Sequence, residues 1–137
     1  MADATTNFTS VLETALYHST NERGAVEHFY GEVLGLQKVA AWDTGIAFRV
    51  GTNVLLLFDR HRLKRIPGPI SNHGGVGAGH ACLLTSADEY DAWRERIVRY
   101  GVKIVHDQVW DERMNSFYFR DPAGNLLEVA SGDLWPS

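Results

Sequence analysis

Glu13, His80 and Glu128 of the 137-residue chain are of the types that hold a divalent cation. Glu128 lies in Asn125-Leu-Leu-Glu-Val-Ala130, which reads as a strand entered through the turn Asp121-Pro-Ala-Gly124. The aspartate of such a turn bonds its own backbone, the proline fixes φ and the glycine supplies a positive φ. The stretch before it, Asn115-Ser-Phe-Tyr-Phe-Arg120, is aromatic and suits a pleated strand. Under period-2 alternation Glu128 shares a face with Leu126 and Ala130. A carboxylate on such a face is costly unless it meets a cation, a hydrogen-bond partner or water. A metal ion is one of these answers.

An internal repeat connects Glu128 with the other two residues. Gly35-Leu-Gln-Lys-Val39 matches Gly101-Val-Lys-Ile-Val105, 66 residues on. Phe48-Arg49 matches Phe119-Arg120, each before a turn and a final strand. Glu13-Thr-Ala-Leu16 matches His80-Ala-Cys-Leu83, 67 residues on. Glu13 and His80 are therefore equivalent residues of the first strand in each half. Two related half-sheets facing each other would bring them across a shared cleft, with Glu128 reaching it from the last strand.

The elements that must position these residues follow from local pattern. Val11 to Tyr17 reads as a strand. Asn21 to Leu34 reads as a helix, because Val26, Phe29, Tyr30 and Val33 recur at i, i+3, i+4 and i+7, and Gly35 stands at the C-cap. Leu36–Trp42, Gly45–Val50 and Asn53–Phe58 read as three strands. The second half repeats the order. His80–Thr85 is a strand, and Ser86 with Glu89 forms a capping box for a helix running to about Tyr100 and burying Tyr90, Trp93 and Ile97. Val102–Trp110, Asn115–Arg120 and Asn125–Ala130 are the closing strands. Residues 11–131 thus form one domain: module one (11–58), a linker or lid loop (59–79) and module two (80–131). Residues 1–10 are small and polar and expected to fray; in the tail 132–137, apolar Leu134-Trp135 is expected to dock.

Composition removes several classes. A net charge of −4 with no basic cluster beyond Arg60–Arg65 excludes a nucleic-acid surface, and that run reads as a solvated loop or a contact for an anionic substrate. The single cysteine, Cys82, excludes a disulfide framework and a cysteine-rich zinc site. No apolar run reaches membrane-spanning length, and no signal peptide opens the chain, which points to the cytoplasm. The glycine-rich run His73–Gly79 is not a phosphate-binding loop, since no Lys-Ser/Thr follows it and a strand comes next.

With the repeat established, the chain resembles the vicinal oxygen chelate superfamily, which contains glyoxalase I, extradiol dioxygenases, fosfomycin-resistance thiol transferases and bleomycin-resistance proteins. The resemblance spans about residues 11–131 and rests on Phe29-Tyr30 with Val33-Leu-Gly-Leu36, on Gly79-His80, and on Ser116-Phe-Tyr-Phe-Arg-Asp-Pro-Ala-Gly-Asn125 leading to Glu128. It implies an α+β fold of two βαβββ modules whose mixed sheets curve into a cup around one divalent metal, commonly in a homodimer. His80 and Glu128 match family ligands, and Glu13 stands where the first-strand ligand is usually histidine. A fourth ligand, a glutamate on the last strand of module one, is absent from Val54-Leu-Leu-Leu57. One histidine with two carboxylates departs from the 2-His-1-carboxylate iron triad and suits Mn²⁺, with Fe²⁺, Ni²⁺ and Zn²⁺ also accommodated. Tyr118 matches a cup-facing tyrosine of the fosfomycin enzymes, which would orient a substrate oxygen or act as an acid, and His73 in the loop could swing over the cup as an acid or base. Cys82 shares parity with His80 and is expected to be a buried, inert thiol. His18 has the opposite parity to Glu13 and should face the helix side. The implied function is a metal-dependent glyoxalase- or dioxygenase-type enzyme acting on a small, chelating substrate. A binding protein without chemistry and a fosfomycin thiol transferase are the alternatives.

Overall fold

The computed structural model describes residues 6–66, 68–132 and 135. Its strands are β1 (Glu13–His18), β2 (Gln37–Trp42), β3 (Gly45–Val50), β4 (Asn53–Asp59), β5 (His80–Thr85), β6 (His106–Asp111), β7 (Met114–Arg120) and β8 (Leu126–Ser131). The helices are α1 (Arg23–His28), α2 (Arg60–Arg65) and α3 (Tyr90–Arg99). Two four-stranded sheets form, with orders β1-β4-β3-β2 and β5-β8-β7-β6. In each, the first strand runs parallel to the last and the other pairings are antiparallel. This is the α+β architecture of two βαβββ modules that the repeat predicts. None of the helices among the described residues is long and apolar enough to cross a membrane.

The register makes the repeat a residue-by-residue correspondence. Glu13 opens β1 opposite Val54, and His80 opens β5 opposite Leu126. Glu128 lies between Cys82 and Tyr118 on the flanking strands, and Leu56 lies between Ala15 and Ala47. Leu56 is therefore the module-one counterpart of Glu128.

One core joins the modules. Leu16, Ile46, Phe48, Leu55 and Leu57 of the first sheet meet Phe117, Phe119, Leu127 and Val129 of the second around Val26, Phe29, Tyr30 and Val33. Phe29 lies 6.1 Å from the Phe119 ring and Tyr30 lies 5.7 Å from Phe48, so the first helical segment packs on both sheets. Burial of these large side chains supplies most of the folding drive, at about 1.5–3 kcal/mol each. The two sheets thus meet through their helix-bearing faces. His18, on that side as its parity requires, is fully buried.

Several local readings are corrected. The first helix is composite, with a 3₁₀ turn (Thr20–Glu22), then α1, then one π-helical turn (Phe29–Val33) closed by Gly35 at φ 66°. Arg60–Arg65 is helix α2, not loop, because the Asp59 side chain caps it by accepting from the His61 and Arg62 backbone N–H groups. A helix of six residues is too short to show periodicity. Strand β6 starts at His106 rather than Val102. Of the Ser86–Glu89 box only the Glu89 N–H to Ser86 Oγ bond forms, at 3.3 Å, and α3 begins at Tyr90. Trp135 is 81% exposed, so its ring does not dock; Leu134 lies outside the described residues.

Asp59 is fully buried, and its Oδ1 also accepts from the Thr20 hydroxyl at 3.0 Å. Burial works to raise its pKa, but the Arg62, Thr20 and His61 hydrogen bonds and the nearby His18 outweigh it and hold the carboxyl below its ordinary value of 3.8. A depressed folded pKa gives stability that is present above the unfolded value and lost as pH falls through the folded one. Asp59→Asn keeps the cap but not the charge. The wild type should therefore lose thermal stability faster than this variant on acidification below about pH 4, as read by Tm against pH.

Candidate functional site

The site begins with a glycine. Gly79 precedes β5, and a Cβ there would stand 2.8 Å from Leu16 Cδ2 and 3.3 Å from Asn125 Oδ1. The close approach lets Gly79 N–H donate to Asn125 Oδ1 at 2.8 Å while its carbonyl accepts from Leu126 N–H at 2.9 Å. Asn125 is itself held by Asp121, which accepts from the Asn125 backbone N–H and Nδ2, each at 2.9 Å, and from the Tyr30 hydroxyl at 2.7 Å. The second Nδ2 hydrogen reaches the Tyr17 carbonyl at 3.1 Å. The Asp-Pro-Ala-Gly-Asn turn therefore fastens β8, the entry to β5 and the end of β1 together. Its sequence signal is the turn motif itself, but the partners Gly79 and Tyr17 are remote in the chain and not readable from it.

His80 projects from this anchored point. Its Nδ1 lies 2.8 Å from the Leu126 carbonyl, which can only accept, so Nδ1 carries the proton. In the neutral ring Nε2 then presents its lone pair, and it lies 3.3 Å from Glu128 Oε1. Glu128 is only 5% exposed, and its Oε2 is buried without a hydrogen-bond partner. A carbonyl-tied imidazole beside a buried, half-satisfied carboxylate could supply two donors to a cation, and the tie to Leu126 is the kind of outer support that fixes such a ligand. The residues present fit a divalent cation.

Tyr118 and Cys82 flank Glu128. Burial and the neighbouring Glu128 carboxylate push the Tyr118 phenol up to about 12 and the Cys82 thiol up to about 12. Tyr118 stacks at 6.3 Å on His80 and lies 5.9 Å from His106. Cys82 is exposed rather than buried, because alternation on β5 puts it on the open face with His80. Its raised pKa, set by partial burial and by the Glu128 carboxylate, keeps it a neutral thiol of low reactivity although the residue is exposed.

Glu13 does not join this pair. Among the described residues no group of three His, Cys, Asp or Glu side chains is placed to hold a metal ion. Thr14, not Glu13, lines the groove of about 320 Å³ where β1 and β4 approach His80 and Cys82. The shared core gives the reason: the sheets meet through their helix-bearing faces, so their other faces do not enclose one cup within the chain. Glu13 is exposed, and the arginines that could have paired with it are engaged elsewhere. Arg49 points to the Thr52 and Asn53 carbonyls, and Arg120 donates to the Gly124 carbonyl at 2.9 Å.

His73 also lies away from His80. It sits on the open face of module one, 2.6 Å from the Tyr17 hydroxyl and edge-on to Phe58 at 4.7 Å.

Residues 20–129 match the family model described as Glyoxalase/Bleomycin resistance protein/Dioxygenase superfamily. The chain belongs to this superfamily. A lactoylglutathione lyase from Agrobacterium tumefaciens superposes with a TM-score of 0.87 at 36% identity, over 96% of this chain and 100% of that one. The glutathione transferase FosA of Serratia marcescens is 30% identical over 110 residues, covering 77% of this chain and 70% of the transferase. Virulence protein STM3117 of Salmonella typhimurium is 32% identical over 108 residues, covering 74% of this chain and 71% of that protein. The superfamily match includes His80 and Glu128 and begins after Glu13.

Proposed function

We propose that this superfamily member is a divalent-metal-dependent enzyme whose cup is closed by two copies of the chain. His80 and Glu128 of one copy and Glu13 of the other would hold a single Mn²⁺, Fe²⁺, Ni²⁺ or Zn²⁺ ion. The observation that carries the reading is the Glu128 carboxylate, buried with Oε2 unpartnered beside the lone pair of an anchored imidazole. When bound, the ion supplies Lewis acidity to two neighbouring oxygens of a small substrate.

The chain's own residues do the rest. The Leu126 carbonyl holds the His80 tautomer. Tyr118, protonated at neutral pH, donates a hydrogen bond to a substrate oxygen beside Glu128. Helix α2 presents Arg60 and Lys64 near the open face of module one, where they favour an anionic substrate. Two of the relatives are a lactoylglutathione lyase and a glutathione transferase. Assays therefore start with the hemithioacetal of a 2-oxoaldehyde and glutathione and with fosfomycin plus glutathione, followed by catechols. Leu56 in place of a fourth carboxylate favours a second reading, a cup that binds a small molecule without chemistry.

The test is complementation. Glu13→Ala and Glu128→Gln should each lose metal when pure. Unfolded together and refolded, the two variants should regain about a quarter of the wild-type metal content, because half the dimers are mixed and each mixed dimer rebuilds one intact site. No recovery, with each variant folded, would rule out a site shared between copies. No metal in the wild type after reconstitution would leave the binding reading.

A further inference from the structure

The open face of module one carries a feature that metal chemistry does not use. Tyr17, Trp42 and Phe58 form an aromatic nest there. Tyr17 stacks on Phe58 at 6.2 Å and 27°, and Trp42 meets Phe58 edge-on at 5.9 Å and 74°. Trp42 can lie this close because residue 45 is glycine: a Cβ there would stand 2.8 Å from the indole and 3.0 Å from Phe58. The imidazole of His73 fills the nest. It meets Phe58 edge-on at 4.7 Å, tilts over Tyr17 at 5.7 Å and shares a 2.6 Å hydrogen bond with the Tyr17 hydroxyl.

The nest shares a face with Glu13, since residues 13, 15 and 17 alternate together, and it lies four residues along β1, roughly 13 Å away. That is too far for its groups to act on an ion at Glu13, but it suits the far end of a ligand lying in the cup. The repeat sharpens the contrast. The module-two counterparts of Tyr17 and Phe58 are Leu84 and Ala130, and Leu84 is 75% exposed with no ring upon it. The counterpart positions in module two, Leu84 and Ala130, carry no aromatic side chain.

His73 is weakly tied. Among the described residues no backbone–backbone hydrogen bond joins residues 68–78 to either sheet, so the segment is held on this face by side-chain contacts and by the Gly74 and Gly75 backbone against Arg60 and Tyr17. Segments held so sparsely open at low free-energy cost. Two cations beside the nest are engaged, Arg62 paired to Asp43 and Arg23 donating to the Trp42 and Asp43 carbonyls. Asp43 is thus not free to attract a cation.

We propose that Tyr17, Trp42 and Phe58 form a second subsite of the cup, selective for a single neutral or anionic aromatic ring, and that His73 occupies it as a displaceable plug. The imidazole reports what fits: a flat ring carrying a hydrogen-bonding group aimed at the Tyr17 hydroxyl. The inference rests on the proposed function for the identity of this face as the ligand-binding one, and it assigns the substrate class as aryl compounds with their chelating oxygens roughly 13 Å away.

The probe is benzamide, with cyclohexanecarboxamide as its saturated counterpart, titrated into metal-stripped protein and followed by the NMR signals of the Trp42 indole N–H and the Tyr17 and Phe58 rings. Benzamide should shift these signals, and His73→Ala should bind it about tenfold tighter, since the plug no longer competes. Trp42→Ala, at a half-exposed position, should weaken benzamide binding severalfold, and the saturated amide should not saturate the site. Unmoved signals in His73→Ala, equal affinity of wild type and His73→Ala, or equal binding of the saturated amide would each overturn the proposal. Because the titration is run without metal, a failed metal site leaves its outcome intact, and a failed titration leaves the metal test intact.

Discussion

Glu128→Gln should lower metal affinity by more than about 100-fold and abolish metal-dependent turnover, while making the metal-free protein more stable by about 1–2 kcal/mol. The opposite signs are the informative part. Glutamine keeps the volume of the side chain and its ability to accept from neighbours. It removes a charge that is 5% exposed and that Tyr118 and Cys82 support only in part, since Oε2 keeps no hydrogen-bond partner. A carboxylate kept for structure would behave otherwise. If its 3.3 Å contact with His80 were its purpose, the substitution would destabilise the metal-free fold. Differential scanning calorimetry at about pH 8, above the ordinary imidazole range, with chelator and then with added Mn²⁺, separates the two cases. The wild type should gain Tm on adding metal, and the variant should not.

Asp121→Ala should be among the most destabilising substitutions in the chain, by about 3–5 kcal/mol. Four donors converge on this one carboxylate: the Tyr30 hydroxyl at 2.7 Å, and the Ala123 N–H, Asn125 N–H and Asn125 Nδ2, each at 2.9 Å. Removing it orphans several of them in a buried place, and an unsatisfied buried donor costs about 1–3 kcal/mol. The Tyr30 bond also spans the modules, so the loss loosens the seam between them. Urea denaturation reads the change directly. Tyr30→Phe, which removes one donor together with its need for a partner, should cost no more than about 1.5 kcal/mol. A small effect for Asp121→Ala would show that water replaces the carboxylate at this turn.

Much of this was legible in the sequence because the two halves are copies. The correspondence of Glu13 with His80 follows from matching short segments, and the strand register reproduces it and adds that of Leu56 with Glu128. Parity placed His18 on the buried side. The relation between the modules was not legible. Alternation tells which residues share a face, but not whether two such faces meet in the same chain, and here the core faces meet instead. The separation of Glu13 from His80 follows from that. Helix α2 escaped notice because its signal is a single capping aspartate, and the seat of His73 because Tyr17, Trp42 and Phe58 come from three different strands. The exposure of Cys82 had a signal in its parity with His80, but the general tendency of cysteine to be buried outweighed it.

The register position of Leu56 also bears on how this protein can change. Its flanking residues are Ala15 and Ala47, and it packs with Phe58, whereas Glu128 has a phenol and a thiol beside it. A glutamate at residue 56 would set a charge among methyl groups with no nearby donor, so a fourth ligand is not gained by one substitution. Hydroxyl or thiol neighbours would be needed with it. Residue 56 is thereby held to apolar side chains, and what module one would bring to a shared site falls to Glu13 and the aromatic nest.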